Sequence, residues 1–224
     1  MPTVLITGAG RGLGLEFAKQ YAADGWQVIA CVRNPDKADA LKKVKGDVAI
    51  ERLDVVDEAD IKALAARLEG LGIDLLINNA GIYGPRNGQN DTKSWLEVFQ
   101  VNTIAPYRVA EALAPLVAKS KQKTIVNITS QMGSVGSTSS ADSPIYRSSK
   151  AALNMVMKGL SHALKGQGVT VVLFHPGWVK TDMGGKGAPL EAPDSIGGMR
   201  KVIGKLTAAD SGKFFNYDGK PLPW

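Results

Sequence analysis

Tyr146-Arg147-Ser148-Ser149-Lys150 is the most informative run of five residues in the chain. On a helix, positions i and i+4 share one face, so this spacing sets the Lys150 ammonium beside the Tyr146 phenol. A free phenol titrates near ~10, and bringing it to about 7 takes roughly 4 kcal/mol of preferential stabilisation of the phenolate. A neighbouring cation has the right sign for that task. The chemistry open to such a pair is proton transfer to or from an oxygen. Alone, a Tyr-x-x-x-Lys pair is usually a solvated surface pair, so its weight depends on what else the chain supplies.

Thr7-Gly8-Ala9-Gly10-Arg11-Gly12-Leu13-Gly14 supplies the second element. It directly follows a strand pattern and opens a helical one, the context that lifts a glycine cluster above chance. Glycine lets the backbone turn sharply and approach a pyrophosphate, whose charge is then met by amide N–H groups and the helix N-terminus. A dinucleotide site that prefers NAD presents a carboxylate about 20 residues on, at the end of the second strand. No acidic residue occurs between Gly25 and Pro35. Arg33 ends that strand instead, and Arg11 projects from the glycine turn, so two guanidinium groups can converge on a ribose 2′-phosphate with bidentate geometry. The expected cofactor is NADP(H) rather than NAD(H).

Taken in order, the glycine turn, Asn78-Asn79-Ala80-Gly81, Asn102, Ser130, the Tyr146/Lys150 pair and Pro176-Gly177 resemble the short-chain dehydrogenase/reductase family over nearly the whole chain. Within it, His175 to Gly184, the closing Gly219 to Trp224 and the short length are most similar to the sniffer-like and C-factor-like carbonyl reductases. The resemblance implies hydride transfer from NADPH to a small aldehyde or ketone, with alcohol oxidation in reverse. It implies that Tyr146 is the general acid toward the carbonyl oxygen, and the base in the oxidative direction. Ser130, at the carboxyl end of a strand where ligands sit in open α/β sheets, can hydrogen-bond and polarise the same oxygen. Lys150 would lower the phenol pKa and bind the nicotinamide ribose. Asn102 resembles the family's fourth catalytic residue, holding a water that links Lys150 to solvent.

The same resemblance assigns the cofactor contacts. Gly8, Gly10, Arg11, Gly12, Leu13 and Gly14 would surround the phosphates, with Arg33 at the 2′-phosphate. Asp54 and Val55 would lie at the adenine, and Asn79, Ala80 and Gly81 along the cofactor. Pro176, Gly177, Val179 and Thr181 would approach the nicotinamide, together with Tyr146 and Lys150 themselves. Fifteen residues separate Ser130 from Tyr146, slightly more than the family interval, which enlarges a loop at the pocket mouth. Gln131, Met132, Ile145, Trp178 and Met183 are candidate pocket walls. The alternative is a non-catalytic NADP(H)-binding regulator or scaffold of the same fold. The complete Asn102/Ser130/Tyr146/Lys150 set argues against it, because a pure sensor has no use for a proton donor.

The elements that must hold these residues follow from periodicity. Thr3 to Thr7, Gln27 to Val32, Val48 to Leu53 and Asp74 to Asn78 read as strands, as do Thr124 to Ile128, Thr170 to Phe174 and a short Phe214 to Tyr217. Helices lie between them: Leu13 to Ala23, one around Ile61 to Leu68, a long stretch from about Thr92 to Ala118, and about Pro144 to Leu164. Pro106 and Pro115 bend, break or delay the long one. Gly133 to Ser143 reads as a loop and Gly184 to Gly198 as a mobile excursion. This alternation predicts a single-domain, Rossmann-like, doubly wound α/β fold over 1–224, with seven parallel strands, helices on both faces and about 178–200 as a short substrate-side loop.

Composition narrows the partners. The 224 residues, 44% hydrophobic, suffice for one large core. Cys31 is the single cysteine, which excludes an intrachain disulfide and a cysteine metal cluster and suits a reducing cytoplasm. The net charge of +6 is spread along the chain without a run of five like charges, so no nucleic-acid partner is expected. The opening residues show no signal-peptide pattern, no apolar run reaches ~18–20 residues, and no membrane partner is expected. His162 has no second ligand at metal spacing, His175 lacks the Gly-x-Ser-x-Gly elbow of a hydrolase, and no metal is expected. Oligomeric state stays open between homodimer, homotetramer and monomer.

Overall fold

The computed structural model describes residues 1–85 and 90–224. β1 (Thr3–Thr7), β2 (Gln27–Val32), β3 (Val48–Arg52), β4 (Leu75–Asn78), β5 (Thr124–Ile128), β6 (Thr170–His175) and β7 (Phe214–Asn216) form one sheet in the order β3-β2-β1-β4-β5-β6-β7. Neighbouring strands pair in parallel throughout. Every residue of β1, β4 and β5 is buried, which is why these strands appear as unbroken rather than alternating patterns.

Successive strand residues feed opposite layers. Leu5, Ile29, Leu76 and Ile125 pack under α3 (Glu58–Arg67), α5 (Ala105–Ala118) and α6 (Pro144–Ala163), through Leu64, Leu113, Leu153 and Met157. Val4, Ile6, Val28 and Val126 face the other way, against Phe17 and Tyr21 of α1 (Gly12–Ala23) and Ile196 and Met199 of α7 (Ala192–Ile203). The remaining helices are the short α2 (Asp39–Lys42) and α4 (Thr92–Phe99). The strand order reverses between β1 and β4, and such a switch point opens a crevice beyond the strand ends. No described helix is long and apolar enough to cross a membrane.

Two readings from sequence are refined here. The long helical pattern is α4 and α5 joined by a π-helical turn, Gln100–Ile104. Pro106 stands at the second position of α5, directly after the π-helical turn, while Pro115 lies inside that helix. The mobile excursion over Gly184 to Gly198 is corrected: its last seven residues belong to α7. Val179 and Leu190 form a parallel bridge, and Lys180 N–H donates to the Leu190 carbonyl at 2.8 Å. The glycines had suggested freedom, but Gly198 is there for contact, since a Cβ would lie 2.8 Å from the Tyr217 carbonyl oxygen.

Beyond β7 the chain folds back along it. Leu222 N–H donates to the Phe214 carbonyl and Asn216 N–H to the Lys220 carbonyl, both at 2.8 Å, around an antiparallel Phe215–Pro221 bridge. Trp224 then packs on Phe214, and its carbonyl accepts from Gly136 N–H at 2.7 Å.

Candidate active site

The glycine turn joins β1 to α1 at the switch point. Gly8 and Gly12 have φ of +65° and +53°, and a Cβ on Gly14 would lie 2.3 Å from the Gly8 carbonyl oxygen. Thr7 Oγ1 accepts from Asn79 N–H (3.0 Å) and Ala80 N–H (3.1 Å), while Asn79 Nδ2 donates to the Thr7 and Gly8 carbonyls. These bonds lock the turn to the end of β4.

The start of α1 fits a dinucleotide. Arg11, the residue before it, gives no side-chain cap, and the first turn carries no acidic group. The leading N–H groups of a helix have no intrahelical acceptor, and an anion is their natural partner. Arg11 and Arg33 are both exposed. Arg11 pairs with Asp182 at 3.0 Å, and Thr181 lies against Gly12, so the loop after β6 reaches the glycine turn. Asp54 is partly buried, with Oδ1 accepting from Val56 N–H and its own N–H bonded to Asp60.

α6 carries Tyr146 and Lys150, and its approach to Ser130 depends on Gly133. A Cβ on Gly133 would lie 2.7 Å from the carbonyl carbon and the Cβ of Lys150, so another residue would hold the helix away. Asn154, four residues after Lys150 and on the same face, stitches the contact. It accepts from Thr129 Oγ1 at 2.7 Å and donates to the Gly133 carbonyl at 3.2 Å, flanking Ser130 on both sides. Ser130 caps the short turn Gln131–Gly133 through Met132 N–H, and its side chain lies near enough to the Tyr146 phenol to favour the ionised form. Neither Gly133 nor Asn154 was singled out from sequence, although the i+4 spacing from Lys150 was a signal for the latter.

The site is dry. Ser130, Tyr146 and Lys150 are 6%, 8% and 4% exposed, respectively. Burial pushes the Tyr146 phenol up to about 12, against the opposing effect of the neighbouring Ser130 hydroxyl. Burial also pulls Lys150 down to about 8. Its Nζ donates to the Ile128 carbonyl at 3.0 Å and sits 5.9 Å from the centre of the Tyr146 ring. Desolvation is the largest influence on both residues.

Asn102 is fully buried in the π-helical turn. Its Oδ1 accepts from Ile82 N–H at 2.9 Å, and Nδ2 donates to the Ile82 carbonyl at 2.8 Å and to Ser149 Oγ at 3.1 Å. A Cβ on Gly81 would lie 3.3 Å from Asn102 Oδ1 and 3.6 Å from Lys150 Nζ, so Gly81 separates the two. Of the candidate walls, Ile145 is core, Met132 half-buried, and Gln131, Met183 and Trp178 are exposed. Trp178 is pinned by its indole N–H to the Gly184 carbonyl at 2.8 Å. Val179 is buried, and Pro176 and Gly177 lie between β6 and this loop. His175 follows Phe174 with Nδ1 buried and unpartnered, and burial lowers it to about 4. No group of three or more metal-ligating side chains occurs among the described residues. A separate cleft of about 550 Å³ along α7 and β7, lined by Lys201, Val202, Leu206 and Phe215, shares no residue with this constellation.

A family model described as short chain dehydrogenase matches residues 2–190, and the chain belongs to that family. The C-signal of Myxococcus xanthus is 42% identical over 154 residues, 68% of this chain and 93% of that protein. The carbonyl reductase Sniffer of D. melanogaster superposes with a TM-score of 0.92 at 36% identity, covering all of both chains. An NADPH-bound carbonyl reductase from chicken fatty liver gives 0.91 at 38% identity, covering 100% of this chain and 99% of its own.

Proposed function

We propose that the protein is an NADP(H)-dependent reductase that interconverts a small aldehyde or ketone and its alcohol, with Tyr146 as proton donor. The observation that carries this reading is the meeting of three buried side chains, with Lys150 Nζ 5.9 Å from the centre of the Tyr146 ring and the Ser130 hydroxyl near enough to the phenol to favour its ionised form. The likeness to an NADPH-bound carbonyl reductase supports it. Residues 1–224 act as one cofactor-binding and catalytic unit in a reducing cytoplasmic setting, with 178–200 on the substrate side.

When bound, NADPH supplies the hydride. The uncapped start of α1 and the N–H groups of Gly12, Leu13 and Gly14 hold its phosphates, and Arg11 and Arg33 hold the 2′-phosphate. Ser130 orients the substrate carbonyl and polarises its oxygen. Tyr146 gives its proton to that oxygen as negative charge develops there. A phenol raised to about 12 is fully protonated at neutral pH, so the donor is loaded before substrate arrives. Lys150, lowered to about 8, exchanges a proton near neutrality at small cost and can reload the phenol. Asn102 serves this path by holding Gly81 and Ile82 beside Lys150.

Purified protein should bind NADPH more tightly than NADH, by fluorescence titration, and consume NADPH with an aldehyde, ketone or quinone panel. Tyr146→Phe should lose turnover and keep NADPH affinity. Substantial activity in that variant would refute the reading, and tight binding without turnover across the panel would favour a cofactor-sensing role.

A further inference from the structure

Ser143 directly precedes the helix that carries Tyr146, yet it does not act as a helix cap. Its backbone is left-handed, with φ of +51°, a conformation that residues with a Cβ seldom hold. Serine is favoured before a helix because its hydroxyl can accept from the first turn. Ser143 makes no such bond to α6. Its Oγ lies 2.8 Å from the hydroxyl of Tyr83, sixty residues earlier. Tyr83 in turn lies face to face with Tyr146, with ring centres 4.5 Å apart and planes 23° from parallel. The neighbouring Ile82 is held at both its N–H and its carbonyl by Asn102. Strained backbone persists where its surroundings over-determine it, and it gathers at functional sites.

We propose that Tyr83 and Ser143 form a clasp over the proton donor, in which Tyr83 is a positioning and specificity-determining residue. It fixes the ring of Tyr146 and limits which carbonyl compounds reach the hydroxyl. The inference rests on the reductase reading above. The clasp joins the segment after β4 to the end of the loop that links Ser130 with Tyr146, so it spans the two walls between which a substrate must pass. Stacking removes rotational freedom from the Tyr146 ring. A slender aldehyde passes the edge of the Tyr83 ring, whereas a ketone bulky on both sides meets it.

The test uses the full chain with NADPH, a short aliphatic aldehyde and a diaryl ketone. Tyr83→Phe and Ser143→Ala should each lower kcat/KM for the aldehyde by about tenfold, the worth of one part-buried hydrogen bond. The double variant should lose less than the product of the two single losses, because both remove the Tyr83–Ser143 bond. Ser143→Gly should lose activity equally while its melting temperature holds or rises, since glycine relieves the left-handed strain. NADPH affinity should stay at the wild-type value in all three. Tyr83→Ala should raise the ratio of ketone to aldehyde turnover. Wild-type kinetics in both single variants of an enzyme that Tyr146→Phe silences would overturn this inference alone, as would losses that multiply in the double variant. No turnover in the wild type, or persistent turnover in Tyr146→Phe, overturns the reductase reading and the clasp with it.

Discussion

Replacing Lys150 with methionine should make the cofactor-free protein more stable while silencing its chemistry. Lys150 is 4% exposed, and burial displaces its pKa from 10.5 to about 8. At about 1.36 kcal/mol per pH unit, holding the charged form in that environment costs ~3 kcal/mol at neutral pH. Methionine fills similar volume without the charge, and its loss of the bond to the Ile128 carbonyl returns about 1 kcal/mol of that. The net gain is ~2 kcal/mol, roughly 4–8 °C for a chain of this size. The sign with pH follows from linkage. A base whose folded pKa is depressed binds its proton more weakly when folded, so the lysine penalty is complete below pH 8. It fades between pH 8 and 10.5 and is gone above. Thermal unfolding of both proteins from pH 7 to 10.5 checks this. A variant less stable than wild type at pH 7, or a difference that does not shrink by pH 10.5, would refute the claim that desolvation governs this residue.

Arg11→Ala and Arg33→Ala should each weaken NADPH binding by roughly tenfold or more and leave NADH binding unchanged, because a charge-assisted bond to the 2′-phosphate is lost. Equal weakening for both cofactors in fluorescence titrations would disprove that assignment. Gly133→Ala should cost roughly 1–3 kcal/mol in denaturant unfolding through overpacking against the Lys150 backbone, and should lower kcat more than NADPH affinity by displacing Tyr146 from Ser130. Unaltered kcat would show that the close approach of α6 is not what assembles the site.

The sheet was legible in the sequence because its central strands are buried on both faces. Thr3–Thr7 and Thr124–Ile128 match the expected segments residue for residue, and the ends of α1 and α6 fall within one residue of expectation. Tyr146 and Lys150 were legible because a fixed chemistry demands a fixed spacing on one helix. Residues whose role is contact between distant segments were not. Gly133 and Gly198 looked like flexibility, yet they exist because a backbone must approach another closely. The clasp residues Tyr83 and Ser143 carry no local pattern, since the constraint that joins them spans sixty positions. Electrostatics followed the same rule: the sign of a cation beside Tyr146 is readable from sequence, but the burial that raises the phenol and lowers the ammonium is a property of the assembled layers.

The return of residues 219–222 along β7 bears on how molecules of this protein behave beside one another. A bare edge strand offers unpaired amides to any passing strand and is a template for aggregation. Here Phe214 and Asn216 already have partners in Leu222 and Lys220, so that flank presents a finished ladder ending in prolines and a lysine. At the opposite flank, β3 carries Glu51 and Arg52, each tied to a charged side chain of α3. Charge guards one margin of the sheet and the chain's own backbone the other. Loss of the Phe214–Leu222 pairing would therefore show first as turbidity at high protein concentration, before any loss of catalytic competence.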